Sequence, residues 1–557
     1  MIKSIKLKFG SAPGNAPVVL DPTPVTIFVG PNNSGKSIIL NEIQDYCNLG
    51  ISRPDNLILD QITFKENPRD AHKMLQSIQL PPRRQDRIDP ERIFVGRPGS
   101  PLNVQKHHIL SALENPNTNP ELYCNAYLCL HTLNIGAQNR TLLIRDSSIR
   151  DPQGKIDDVA NTLFYDDHKR EVLRGIIHRA FGNYIVFDPT SLGQLKIRLS
   201  ETPPKSNLEE RGFHDEAVQF HQKARRLENY SDGVKAFTGI LSQIIAGDPK
   251  IILIDEPEAF LAPTLSFILG KEIAFTSNSS NKQLFVSTHS ASFIMGCIQT
   301  GVPVNIVRLT YQNDIPTART LPNEKLIHLM RNPLLRSTGV LEGLFYEFVI
   351  VTEADSDRAF YEEINERLLQ MTPDRGIPNC LFLNAQNKQT VHQIVKPLRE
   401  LGIPTAGIVD VDILKNGGKD WSNFMNCGFI PGANHLGLGQ NRSEIYQKCK
   451  ATGKCMKRDG GIDILSNDDK EAARNLFKQL ADYGLFVVES GELESWLQYL
   501  GVPKSGHGPS WLIEIFEKMG EDPDNTDYVS PDSDDVWAFI DNIAAWFKNP
   551  ERKGIPN

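Results

Sequence analysis

Two groups of residues in this 557-residue chain are spaced for phosphate chemistry. The first opens with GPNNSGKS, made of Gly30, Pro31, Asn32, Asn33, Ser34, Gly35, Lys36 and Ser37, between an apolar run, VTIFV, and a stretch with helical spacing, SIILNEIQDYCNL. Such a loop closes its backbone around phosphate oxygens, turns N–H groups and a helix N-terminus toward negative charge, and lets a lysine reach the β and γ phosphates. Lys36 fills that role, and Ser37 supplies a hydroxyl for Mg²⁺. Farther on, IILID reads as a buried strand with Asp255 at its carboxyl end to hold Mg²⁺ and Glu256 beside it to orient and deprotonate water. KQLFVSTHS is a second strand, ending in His289, a hydrogen-bonding sensor for a γ-phosphate. The ligand implied is ATP with Mg²⁺.

The second group is acidic. VIVTEADSD places Glu353 at a strand end with Asp355 and Asp357 opening a helix, and GIVDVDIL places Asp410 and Asp412 at alternate positions, hence on one face of a strand end. ESGELESWL adds Glu489, Glu492 and Glu494. Carboxylates converging from three strand ends make an oxygen-rich site for Mg²⁺ or Mn²⁺, suited to phosphodiester cleavage; the alternative is that they are exposed strand ends and helix N-termini. Between the last two clusters, KCKATGKCMKR carries Lys448, Lys450, Lys454, Lys457 and Arg458, either to hold a phosphate backbone or as a solvated loop. Cys449 and Cys455 within it lack the second pair a zinc site needs.

These residues need elements to position them. Strand content is expected over Ile2 to Leu7 and Val18 to Val29, with Pro22, Thr23 and Pro24 as a turn before VTIFV, and a charged, solvated helix over LEERGFHDEAVQFHQKARRLEN. Residues 52–225 should hold the remaining strands of the first domain and an inserted helical arm. After Arg336 strand-helix alternation restarts, marking a second α/β domain. From Gly501 a small helical extension is expected. The domains expected are therefore 1–335, 336–500 and 501–557. Length alone demands more than one core. A net charge of −8 argues against a surface that coats nucleic acid uniformly, though not against a local basic groove. Eight scattered cysteines point to reduced thiols in a cytoplasm, and no segment reads as an export signal or a membrane span.

YSDGVKA, with Ser231 and Gly233 opening a helix, resembles the signature motif of ABC ATPases. With the other three motifs in the family's order, roughly the first 330 residues resemble an ABC ATPase of the chromosome-maintenance and recombination branch. The resemblance implies a homodimer of ATPase heads in which each signature motif closes over ATP bound to the partner subunit. It departs at Asn33, where glycine is common, and in lacking a clear Q-loop, for which Gln61 is the nearest candidate. The acidic clusters, in their order, resemble the Toprim domain of OLD-family ATP-dependent nucleases, with Ala354 where glycine commonly follows the first glutamate; the resemblance implies metal ligands at Glu353, Asp357, Asp410, Asp412 and Glu494. That resemblance implies an α/β chain: an ABC-type ATPase with a helical insertion, then a Toprim-like domain, acting as an ATP-regulated nuclease on DNA or RNA in bacterial anti-phage defence, with a second defence protein as a further partner. The competing reading is an ATP-driven scaffold whose second domain has lost cleavage.

Overall fold

VTIFV forms β1 (Val25–Val29), in which every residue is buried. β-Branched and aromatic residues without polar alternation suit a strand covered on both faces. It is the centre of a six-stranded sheet with β2 (Thr132–Ile135), β3 (Ile251–Asp255), β4 (Gln283–Ser287), β5 (Val304–Gln312) and β6 (Ile315–Leu321). The spatial order is β6-β5-β1-β4-β3-β2. All neighbours pair in parallel except β6, which returns antiparallel along β5. The carboxyl ends of β1, β2, β3 and β4 therefore share one edge. Helices α1 (Lys36–Leu49), α2 (Asp232–Ala246), α3 (Pro263–Ser279) and α4 (Ala291–Gln299) accompany this sheet.

The computed structural model describes residues 1–557 apart from 83–88, 98, 137, 152, 154–157, 192, 313, 322, 334, 336–338, 504–507 and 557. The chain divides into two units, Met1–Ile327 and His328–Asn557. The boundary expected at 336 lies outside the described residues.

Residues 50–225 hold helices, the longest Asp167–Phe181, together with small antiparallel sheets. Val18 to Val29 holds two strands, Val19–Leu20 and β1, on either side of Pro22 and Pro24, which have no N–H to donate. One local expectation needs correction. The charged helix expected after Leu208 is also two, Asn207–Arg211 and Asp215–Lys223, parted by extended Gly212. Its charges are not all solvated. Glu210 is fully buried, accepts from Arg174 Nη2 at 2.6 Å and from the Phe187 N–H at 3.2 Å, and lies 3.2 Å from Arg170 Nε. A carboxylate this deep persists only where cations and donors surround it.

The second unit carries a parallel sheet of β7 (Phe348–Thr352), β8 (Cys380–Asn384), β9 (Thr405–Asp410) and β10 (Leu485–Val488), in the order β8-β7-β9-β10. The chain leaves β7 toward one edge and β9 toward the other, so a crevice opens at the carboxyl ends of those two strands, where α/β sheets bind ligands. Helices α5 (Asp355–Met371), α6 (Lys388–Glu400), α7 (Gly432–Ala451) and α8 (Asn467–Ala481) link the strands. The terminal helices α9 (Pro509–Met519) and α10 (Asp535–Lys548) complete the core rather than capping it. Their Trp511 and Trp537, each 1% exposed, pack with Phe348, Ile350 and Phe360. Burying each such ring stabilises the unit by about 2 to 3 kcal/mol. Among the described residues no helix is long and apolar enough to cross a membrane.

Candidate nucleotide and metal sites

The loop after β1 holds the first site. Gly30 has φ 145° and a Cβ there would stand 2.1 Å from the Leu309 carbonyl oxygen, so only glycine fits. Asn33, where the resembled loop commonly has glycine, takes φ 62°. Asparagine is among the side chains that tolerate this left-handed region best, so the substitution keeps the loop's shape. Lys36, 6% exposed, donates from Nζ to the carbonyls of Gly30 at 2.9 Å and Pro31 at 2.6 Å. Burial pushes its ammonium down to about 8, against the pull of Glu256 and Asp255.

Ser37 Oγ donates to Asp255 Oδ1 at 3.0 Å, bringing the two expected Mg²⁺ ligands together. Ser287, at the end of β4, donates to the same oxygen. A hydroxyl beside a carboxylate is a hard oxygen pair that fits Mg²⁺. Glu256 is exposed, and its Oε1 lies 3.8 Å from His289 Nε2. Burial and the Lys36 charge hold the His289 imidazole below its ordinary value, hence neutral at neutral pH. Glu258 accepts from the His289 N–H at 2.7 Å. Thus Lys36, Ser37, Asp255, Glu256 and His289 gather at one edge of one sheet.

Ser231 is exposed at the start of α2 and makes no capping bond, while Gly233 is buried. A Cβ at Gly233 would stand 2.5 Å from the Phe260 carbonyl oxygen, so the turn after Glu256 lies directly on the signature helix. Gln61 sits opposite Lys6 in the antiparallel sheet. A glutamine, Gln138, follows β2 at the carboxyl end of that strand.

One residue of this site escaped sequence reasoning. Glu256 adopts φ 50°, a conformation costing a non-glycine residue about 1 to 2 kcal/mol. Arg140, 1% exposed, donates from Nη2 to the Asp255 carbonyl at 2.8 Å and from Nη1 to the Glu256 carbonyl. A hydrogen bond from a charged donor is worth roughly 1.5 to 3 kcal/mol net, enough to offset that strain. An isolated arginine in NRTL gives no motif by which to find it.

In the second unit Glu353 follows β7 and Asp410 ends β9. The expected alternation along a strand does not place Asp412: the strand stops at Asp410, and Asp412 lies in the 3₁₀ turn Val411–Lys415. Oxygens of Glu353, Asp410 and Asp412 nevertheless lie within 4.8 Å of one another. Glu353 Oε1 accepts the Asp410 N–H at 2.9 Å, tying the ends of β7 and β9 together. Asp412 Oδ1 is buried with no hydrogen-bond partner among the described residues, which an ion-free carboxylate rarely tolerates. Three hard oxygen donors, one of them orphaned, fit a divalent cation.

Lys457 and Lys388 reach into this centre. Lys457 Nζ lies 2.7 Å from Asp410 Oδ2 and 3.6 Å from Glu492 Oε2, and Lys388 Nζ lies 2.6 Å from Asp412 Oδ2. Burial, added to by the Asp410 charge, pushes Glu353 up to about 8 and Asp357 up to about 7. Burial also lifts Asp410 to about 6, opposed by Lys457. Burial works against the Lys457 ammonium, yet Asp410 holds it above its ordinary value.

The remaining acidic residues make contacts of their own. Asp357 Oδ2 accepts from the Ala354 N–H at 2.9 Å, and Asp355 pairs with Arg358 at 2.8 Å. Ala354 is extended, at φ −132° and ψ 172°, so this turn needs no glycine. Glu494 accepts from the Gly508 N–H at 3.1 Å, and Glu489 turns to Arg474 at 3.4 Å. Of the basic segment, Lys448 pairs with Asp469, and Lys450, Lys454 and Arg458 are exposed. Cys449 is buried and Cys455 exposed, both free.

Two domain families match the chain. AAA domain, putative AbiEii toxin, Type IV TA system, covers residues 109–295, and overcoming lysogenization defect protein-like, TOPRIM domain, covers residues 344–412. The chain joins an ATPase domain to an OLD-like Toprim domain. The Toprim match spans Glu353, Asp410 and Asp412. Solved structures similar to parts of the chain include an SMC head bound to the C-winged helix domain of ScpA, 18% identical, with 59% of this chain and 99% of that one covered and a TM-score of 0.35. The SMC head domain from Thermotoga maritima is 13% identical, with 58% and 99% covered and a TM-score of 0.29. The Smc head domain of Pyrococcus furiosus bound to the C-terminal domain of ScpA is 16% identical, with 59% and 98% covered and a TM-score of 0.34. No curated protein matches the chain in sequence.

Proposed function

We propose that the chain is an ATP-regulated, divalent-metal-dependent nuclease of the OLD type. The observation that carries this reading is the convergence of Glu353, Asp410 and Asp412 within 4.8 Å, with the Lys457 ammonium against them. Glu353, Asp410 and Asp412 would hold Mg²⁺ or Mn²⁺, with Asp357 and Glu494 behind them. When bound, such an ion supplies charge neutralisation at a phosphate and a nucleophile competent at neutral pH. Lys457 adds a cation where negative charge grows on the scissile phosphate, and the exposed Lys450, Lys454 and Arg458 extend that field along a nucleic-acid backbone.

In the ATPase domain, Lys36 and the backbone from Gly30 to Ser37 hold the phosphates, and Ser37 with Asp255 holds Mg²⁺. Glu256 takes the proton of the attacking water, with neutral His289 beside it to contact the γ-phosphate. Ser231 and Gly233 face ATP on the partner subunit of a head-to-head homodimer. The setting proposed is the bacterial cytoplasm, in anti-phage defence, with a second defence protein as a further partner.

A second reading has one observation in its favour: Lys457 and Lys388 already neutralise Asp410 and Asp412, as they would in an ATP-driven scaffold whose Toprim domain only grips a partner. Plasmid DNA and total RNA incubated with the purified chain, with and without ATP and Mn²⁺, separate the two. Cleavage stopped by chelation supports the nuclease; ATP hydrolysis with no cleavage of either substrate supports the scaffold.

A further inference from the structure

We infer that Arg140 is the positioning residue of the ATPase reaction: it holds the turn that aims the Glu256 carboxylate and links that turn to the signature helix α2. The inference rests on reading Glu256 as the residue that acts on water. Arg140 leaves the loop after β2 and crosses to the turn after β3, the neighbouring strand in the sheet. Both of its hydrogen-bonded nitrogens serve main-chain carbonyls, those of Asp255 and Glu256. Its Nε, buried, has no hydrogen-bond partner among the described residues. Both terminal nitrogens of the guanidinium are thus committed to the backbone that carries the acidic pair.

That backbone is pinned from several sides. The Glu256 N–H donates to the Ser287 carbonyl of β4 at 2.9 Å, and the Glu256 carbonyl accepts from the Ala259 N–H at 3.0 Å as well as from Arg140. Glu256 cannot leave φ 50° while these bonds stand, and its side chain is kept near His289. Without Arg140, the carbonyl loses its charged donor and the residue relaxes toward ordinary backbone angles. The carboxylate then swings away from the reacting water, while the phosphate loop, built on β1 and α1, is untouched. Binding and turnover should therefore separate.

The same residue meets α2. A Cβ at Gly239 would stand 3.1 Å from the Arg140 carbonyl oxygen and 2.9 Å from Leu143 Cβ, so the helix that begins at Ser231 lies directly on the Arg140 turn. A shift of α2 when its N-terminus meets phosphate has a short mechanical route to Glu256 through this one side chain.

The test uses the full chain and the variants Arg140→Lys and Arg140→Ala, alone and with Glu256→Gln. Lysine keeps the charge but not the two-pronged geometry. Expected is a fall in kcat of about 10- to 100-fold in both single variants, with ATP affinity within about twofold of the parent. Millimolar guanidinium should restore part of the Arg140→Ala rate, and Arg140→Ala should slow the Glu256→Gln chain no further, because one residue acts through the other. Circular dichroism and the lysine variant guard against simple misfolding. An Arg140→Lys chain hydrolysing at the parental rate, or losses that multiply in the double variant, would overturn the assignment alone. A parent chain that hydrolyses no ATP would overturn the ATPase reading itself.

Discussion

Lys457 Nζ stands 2.7 Å from Asp410 Oδ2, so a cation from the basic segment is built into the acidic centre of the Toprim domain. The backbone enforces this. Gly491 has φ 129°, and a Cβ there would stand 2.3 Å from the Lys457 carbonyl oxygen, so the segment lies flat on the turn that carries Glu489 and Glu492.

Replacing Lys457 by alanine should slow nucleic-acid cleavage by about 100-fold, the usual cost of removing a donor to a developing phosphate charge. The same change frees Asp410 from a competing cation, so half-saturation by Mn²⁺ should move to lower concentration. Cleavage rate against Mn²⁺ concentration reads both effects. A Lys457→Ala chain with the parental rate and metal response would remove Lys457 from the site.

Stability should respond to pH in a defined direction. Glu353, Asp357 and Asp410 sit at about 8, 7 and 6, against roughly 4 when exposed in an unfolded chain. Between those limits the folded chain binds more protons than the unfolded one, so stability falls as pH rises from about 4 through about 8. A divalent ion that takes the place of those protons offsets the loss. In EDTA the unfolding temperature should drop between about pH 6 and pH 8.5, and Mn²⁺ should flatten the drop. Glu353→Gln with Asp410→Asn should also flatten it; a slope unchanged in that double variant would contradict the assignment.

Glu256→Gln should bind ATP but hydrolyse it at least about 100-fold more slowly, having lost the group that takes the proton. That background also tests the shared site. Ser231 leaves its hydroxyl exposed at the N-terminus of α2, a position fit for phosphate on a partner subunit. Glu256→Gln should associate on addition of ATP, and Ser231→Arg added to it should prevent that association. Sedimentation with and without ATP decides; association unaltered by Ser231→Arg counts against head-to-head closure.

Motifs whose members are near in sequence could be read from the sequence: Lys36 and Ser37 in one loop, and Asp255 beside Glu256. The acidic clusters were legible as strand ends, although Asp412 reaches the centre from a 3₁₀ turn rather than by strand alternation. What escaped depends on partners far along the chain. Glu210 in a charged stretch carries no sign that Arg170 and Arg174 bury it. Arg140 acts on carbonyls 115 and 116 residues away, and main-chain oxygens leave no trace in residue types. The basic run announced itself, but which lysine enters the site depends on how Gly491 lets the backbone approach.

The most direct measurement is cleavage of plasmid DNA and RNA by the parent, Glu353→Ala, Asp410→Ala and Asp412→Ala chains, beside ATP hydrolysis by the same preparations. Losing one of three oxygen ligands should cost at least about 100-fold in cleavage, while ATP hydrolysis, carried by Lys36, Asp255 and Glu256 in the other unit, stays near the parental rate. Chelation should stop the parent, and Mg²⁺ or Mn²⁺ should restore it. An Asp410→Ala chain that cuts as the parent does would contradict the metal-dependent nuclease.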